Sequence, residues 1–150
     1  MKEIEHKYLI DHAAWKVLDK PDPVQIIQGF ISRSPEVTIR VRIIGDKAFI
    51  TIKGKSVGLE RSEFEYEIPL LDAEGIMNEF THKQIRKKRY EIPIGEHIWE
   101  VDVFEGPLEG LILAEIEVQS EEEKFDLPHW VSEDVSENPD YYNAVLIDKC

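Results

Sequence analysis

Alternation of ionic and apolar residues along successive extended segments constrains this chain more than any other feature. Side chains on a strand point to its two faces in turn. Glu3, Glu5 and Lys7 therefore share one face and Ile4, His6 and Tyr8 the other. The pattern recurs at Arg40 and Arg42 against Ile39, Val41 and Ile43, and at Lys53 against Ile50 and Ile52. Arg61, Glu63, Glu65 and Glu67 likewise oppose Phe64, Tyr66 and Ile68. It returns at Lys87 and Arg89, at Glu100 and Asp102 against Trp99, Val101 and Val103, and at Glu115 and Glu117 against Ile116 and Val118. This period predicts strands over 2–10, 24–32, 37–44, 47–53, 61–68 and 83–92, then a seventh around Trp99–Val103 and an eighth around Glu115–Val118.

The connections are short. Gly45-Asp46 and Gly95-Glu96 read as two-residue hairpin turns. Asp11 is placed to cap a short helix running to Asp19, and Pro21 and Pro23 end it. Asp72 would cap a second helix with Leu71, Ile76, Met77 and Phe80 on one stripe, and Asn138-Pro139 would open a last one. Eight strands joined this way predict an α+β chain: a closed eight-stranded antiparallel β-barrel covered outside by three to four helices. With 150 residues and no repeat, linker or low-complexity stretch, residues 1–150 form one domain.

Two barrels satisfy the alternation. In one, the apolar faces fill the middle and the charges are solvated, the usual state of a charged strand face. In the other the sheet is inverted, with apolar faces under helices and charges lining a wet lumen. Three features favour inversion: helices with apolar stripes to cover the outside, acids and bases that alternate from strand to strand, and the Arg-x-Arg and Lys-x-Arg spacings that aim paired cations into one layer. About a dozen charges could not sit in a dry interior, because each uncompensated burial costs several kcal/mol. Six inward cations, Lys7, Arg40, Arg42, Lys53, Lys87 and Arg89, ask for a compact polyanion. The carboxylates would repel that anion and one another unless a divalent metal sat among them, and oxygen-only ligation suits Mg²⁺ or Mn²⁺.

Composition removes other classes. A net charge of −13 argues against a nucleic-acid or anionic-membrane binder. Cys150 is the single cysteine, so there is no internal disulfide and no cysteine metal site. No apolar run approaches the ~20 residues that span a bilayer, and the charged start has no signal-peptide core. The cytoplasm is the expected compartment. The five histidines show no metal-ligand spacing, and Trp15, Trp99 and Trp130 read as packing residues.

Glu3-Ile4-Glu5-His6-Lys7 resembles the Glu-x-Glu-x-Lys signature of the CYTH superfamily, the triphosphate tunnel metalloenzymes. The resemblance continues through Gln28-Gly29-Phe30, Arg40-Val41-Arg42, Thr51-Ile52-Lys53-Gly54, Arg61 to Glu67, Lys87-Lys88-Arg89-Tyr90, Asp102 to Gly106 and Glu115-Ile116-Glu117. It implies a tunnel open at both ends and a metal-dependent hydrolase of inorganic triphosphate, with nucleoside triphosphates as further substrates. It also implies that Lys7, Arg40, Arg42, Lys53, Lys87 and Arg89 grip phosphate, with catalytic roles for Lys7, Lys87 and Glu117. Glu3, Glu5, Glu63, Glu65, Asp102, Glu115 and Glu117 would hold Mg²⁺ or Mn²⁺ at two sites. Arg61 and Glu67 share the inward parity without an implied role. Phe30 replaces the Tyr of many relatives, which removes a hydroxyl from the site. The partner is a small polyanion rather than nucleic acid or membrane, and the chain is a monomer or homodimer. A class IV-type adenylyl cyclase, a thiamine triphosphatase with Trp130 stacking on the organic group, and a non-catalytic polyphosphate-binding module are the competing readings. The last helix is expected to cover the barrel, with plugging of one mouth as the alternative.

Overall fold

The computed structural model describes residues 2–150. Eight strands close the wall: β1 (Lys2–Ile10), β2 (Val24–Arg33), β3 (Val37–Ile44), β4 (Lys47–Gly54), β5 (Glu60–Ile68), β6 (Ile85–Ile94), β7 (His97–Phe104) and β8 (Ile112–Val118). They follow one another in the order β5-β4-β3-β2-β6-β7-β8-β1, every neighbouring pair antiparallel. Among the described residues, closure rests on three pairs between β1 and β5, with Glu3 opposite Arg61. The hairpin turns are where the sequence places them, and Gly45 and Gly95 adopt φ of 59° and 62°, which a side chain would resist.

The inverted barrel is the observed one. Apolar parity points outward and is roofed. Ile4, Tyr8, Trp99, Val101 and Ile116 pack beneath Trp15 of α1 (His12–Val17) and beneath Phe125 and Trp130. Trp15, Trp99 and Trp130 meet edge-on at 5.6 and 5.8 Å, so all three are packing residues. Truncating fully buried Trp99 to Ala is expected to cost about 3–5 kcal/mol. On the other side, Ala73 and Met77 of α2 (Leu70–Phe80) cover Val41 and Ala48. Gly29 permits this approach, since a Cβ there would lie 2.9 Å from Thr81 at the end of α2.

Several boundaries differ from expectation. β6 runs from Ile85 to Ile94 rather than over 83–92. α1 stops at Val17, although Asp11 caps it by accepting from the Ala14 amide. α2 begins after Pro69; Asp72 lies in its first turn, where a negative charge complements the helix dipole without capping. A ninth strand, β9 (Val131–Asp134), pairs outside the barrel with Tyr8 and Ile10 of β1.

The C-terminal segment departs most. Asn138 caps as its Asn-Pro pair suggests, but the expected helix breaks into a 3-10 turn (Pro139–Tyr141), the four-residue α3 (Asn143–Leu146) and a second 3-10 turn (Ile147–Lys149). Leu146 and Ile147 pack on Ile85, Phe104 and Leu113, which share the lumen parity of Lys87, Asp102 and Glu115. The segment therefore plugs one end on the β6–β8 side instead of covering the outside. The passage expected to be open at both ends is filled there by an apolar stopper. Among the described residues, no helix is long and apolar enough to cross a membrane.

Candidate active site in the barrel lumen

Inside the wall lies a cavity of about 950 Å³ lined by side chains from every barrel strand and by the C-terminal segment. Its charges fall into three groups. On β6 and β7, Asp102 takes Arg89 in a bidentate grip at 2.7 and 2.9 Å and Lys87 at 2.7 Å, with Arg89 also 3.1 Å from Glu100. Lys87 donates as well to the side-chain oxygen of Asn143 at 2.9 Å, which also accepts from Gln28 at 2.7 Å. Burial pulls the Lys87 ammonium down to about 8 even with Asp102 beside it. Burial favours a protonated Asp102, but Arg89 and Lys87 outweigh it and hold that carboxyl well below the usual range.

Across the lumen, Arg40 and Arg42 of β3 share the Glu65 carboxylate at 3.8 and 3.5 Å, and the Thr51 hydroxyl donates to Glu65 at 2.7 Å. Burial, then the neighbouring Arg42 and Arg89, draw the Arg40 guanidinium down to about 9. Both arginines keep a buried Nε–H with no acceptor. Both side chains line the cavity.

The third group is acidic: Glu3 and Glu5 of β1, Glu63 of β5, and Glu115 and Glu117 of β8. Register puts Glu5 opposite Glu117 and Lys7 opposite Glu115. Lys53 spans Glu3 at 3.0 Å and Glu63 at 3.2 Å, while Lys7 lies 3.7 Å from Glu115 and donates to the Tyr141 carbonyl at 3.1 Å. Glu5 has no ion-pair partner among the described residues, and burial, Glu115 and Glu3 push its carboxyl well up. Burial and the hydrogen bond to Glu3 raise Glu63 to about 7. Burial opposes ionisation of Glu115, but chiefly Lys7 holds it down at about 2. Glu117 is raised by burial and by Glu3.

Among the described residues no three acidic, His or Cys side chains already form a metal shell. Lysines lie on the carboxylates instead. The donor set nonetheless fits a hard divalent cation: the ligand atoms are all carboxylate oxygens, and Glu5 is half-buried without a counter-ion.

Of the residues singled out in the sequence, Glu3, Glu5, Lys7, Arg40, Arg42, Lys53, Glu63, Glu65, Lys87, Arg89, Glu115 and Glu117 all line this one cavity. Asp102 does not line it and stands behind Lys87 and Arg89 with both oxygens engaged. Glu65 is set apart from the acidic group by its contacts with Arg40 and Arg42. The sequence did not point to Gln28, Glu100, Tyr142 or Asn143 as lumen groups. Gln28 and Glu100 carry the inward parity, a usable signal, whereas the entry of Tyr142 and Asn143 depends on tertiary folding.

An inorganic triphosphatase from Acetivibrio thermocellus is 40% identical over 147 residues, covering 97% of this chain and 93% of the relative. One from Nitrosomonas europaea is 33% identical over 155 residues, with 97% of each chain covered. A crystal structure of an inorganic triphosphatase superposes with a TM-score of 0.66 at 28% identity, covering 97% of this chain and 93% of that one. The family model described as the CYTH domain matches residues 1–144, and this chain belongs to that family.

Proposed function

We propose that the protein hydrolyses inorganic triphosphate with the help of a divalent cation. The observation that carries this reading is the division of one cavity into two unsatisfied halves. Arg40 and Arg42 present buried N–H donors without acceptors, and opposite them Glu5 is half-buried without a counter-ion. A polyphosphate chain accompanied by a cation answers both. The names of the relatives support the same substrate.

Arg40, Arg42 and Arg89 supply planar forks for phosphate oxygens, and Lys87, Lys53 and Lys7 supply point charges. Glu3, Glu5, Glu63, Glu115 and Glu117 would hold Mg²⁺ or Mn²⁺, whose chemistry is to offset charge on the phosphoryl oxygens and activate water. Were their carboxylates so engaged, Lys53 and Lys7 would be free to turn to the anion. Water attacks a terminal phosphorus in line, the phosphoanhydride P–O bond breaks, and the water proton passes to a carboxylate, with Glu117 as the candidate to orient it. Positioning and electrostatic stabilisation supply the acceleration. Asp102 serves by fixing Lys87 and Arg89 rather than by binding the cation. Trp130 is sealed in the outer core, which removes the stacking platform a thiamine triphosphatase reading relied on.

A phosphate-release screen over triphosphate, pyrophosphate, ATP and longer polyphosphates tests the reading, run with Mg²⁺, with Mn²⁺ and with chelator. Triphosphate should give orthophosphate and pyrophosphate, and chelator should abolish the reaction. Cyclic AMP from ATP would establish a cyclase instead. Tight binding of triphosphate without turnover would establish a binding module.

A further inference from the structure

Among the described residues, eight cationic side chains from the barrel strands line the lumen, and seven of them are tied to acids. Lys7 lies on Glu115, Arg33 on Asp148 at the rim, Arg40 and Arg42 on Glu65, Lys53 on Glu3 and Glu63, Lys87 on Asp102, and Arg89 on Asp102 and Glu100. Arg61 is the exception. It lines the same cavity, yet no carboxylate lies within 4.0 Å of it among the described residues. Its Nε is buried and has no hydrogen-bond partner. Glu3 faces it directly in the register, but Glu3 is held by Lys53 instead. Following the register round the tilted wall brings Arg61 to the level of Lys53, Arg40 and Lys87.

An arginine half-withdrawn from water with no counter-charge is unfavourable in the ligand-free protein. A structural arginine in this wall would have been paired, as the other seven cations are. An arginine that waits for a ligand would not.

We propose that Arg61 is a further substrate-gripping residue. Its guanidinium takes, in bidentate fashion, the phosphoryl group of triphosphate that lies against the acidic side of the lumen, beside Glu3 and Glu63. This rests on the triphosphate reading above and adds a contact to it. Because Arg61 is unpaired beforehand, binding breaks no ion pair there, whereas Lys53 must exchange partners. Arg61 therefore sets affinity for the anion from the outset, including in the absence of metal.

The test is equilibrium binding of triphosphate by calorimetry, with and without Mg²⁺, to the wild-type protein and to Arg61→Ala and Arg61→Lys. Thermal melts of each protein, with and without triphosphate, accompany it. Arg61→Ala should bind triphosphate about tenfold or more weakly in both conditions, since a charge-assisted bidentate contact is lost. Arg61→Lys should recover part of the loss, the point charge without the fork. The melting temperature without ligand should stay the same or rise in Arg61→Ala, while the shift produced by triphosphate shrinks. Unchanged affinity in Arg61→Ala would overturn the proposal, and so would a ligand-free melting temperature that falls while the triphosphate-induced shift is retained. Wild-type protein that fails to bind triphosphate would instead overturn the substrate reading, so the two failures are distinguishable.

Discussion

Two charge clusters share this lumen and have been built on opposite principles. Around Asp102, three ionic side chains are almost wholly buried, and each satisfies another at 2.7–2.9 Å. Around Glu5, carboxylates from three strands crowd together with two lysines for company, and Glu63 and Glu5 hold their protons far above the usual carboxylate range. Burial alone therefore does not mark a reactive site; incomplete compensation does. The first cluster stiffens the wall and aims two cations. The second stores repulsion that a bound cation relieves.

Removing a member from each cluster should separate the two roles. Asp102→Ala leaves Lys87 and Arg89 buried without their carboxylate and is expected to cost about 3–5 kcal/mol of stability, read from denaturant unfolding. A loss under about 1 kcal/mol would mean that the paired cluster is not structural. Arg40→Ala, on the wall facing both clusters, should lower kcat/KM for triphosphate about 100-fold through loss of charge-assisted hydrogen bonds worth about 2–3 kcal/mol. Its unfolding curve should barely move. Glu5→Gln replaces a crowded carboxyl that resists ionisation at nearly constant shape, so stability should hold or rise slightly. The Mg²⁺ concentration for half-maximal rate should climb at least about tenfold.

The smallest expected effect is on pH dependence, and its sign differs between individual lumen carboxyls. Glu63 keeps its proton up to about 7, whereas an unfolded glutamate loses it near 4.5, so the folded chain binds more protons across that window. Its contribution is present below 4.5 and fades as pH rises toward 7. Glu115 behaves the other way: held near 2 by Lys7, it stabilises above 4.5 and loses that contribution as pH falls. Unfolding measured across pH 4.5 to 7 should thus show metal-free stability sagging upward in pH. Saturating Mg²⁺ should flatten the curve. A flat profile without metal would remove the distinction between a satisfied cluster and a frustrated one.

Much of this was legible in the chain because alternation is local. A two-residue period names the inward side chains once the strands are known, and all but Asp102 of the site residues it supplied line the cavity. Asp102 escapes because parity cannot tell a side chain that reaches the cavity from one walled behind Lys87. Asp72 looked like a cap because Asp favours that position, but Pro69 already ends β5's extension and starts α2 three residues earlier. β9 is only four residues long and owes its existence to β1, so no period could announce it. The stopper was hidden for the same reason. Leu146 and Ile147 read as an ordinary apolar helix face, and only the folded chain brings them to Ile85 and Phe104.

A hoop is as strong as its clasp, and here the clasp is short. Among the described residues, only Lys2 to Ile4 meet Glu60 to Ser62 where the sheet joins itself, against six rungs at the seams on either side of it. Glu3 and Arg61 sit on that join, with Glu63 two residues further along β5. Any ion or anion that bridges them fastens one strand to the other, so occupancy of the centre would tighten the rim of the whole cylinder as a buckle tightens a belt.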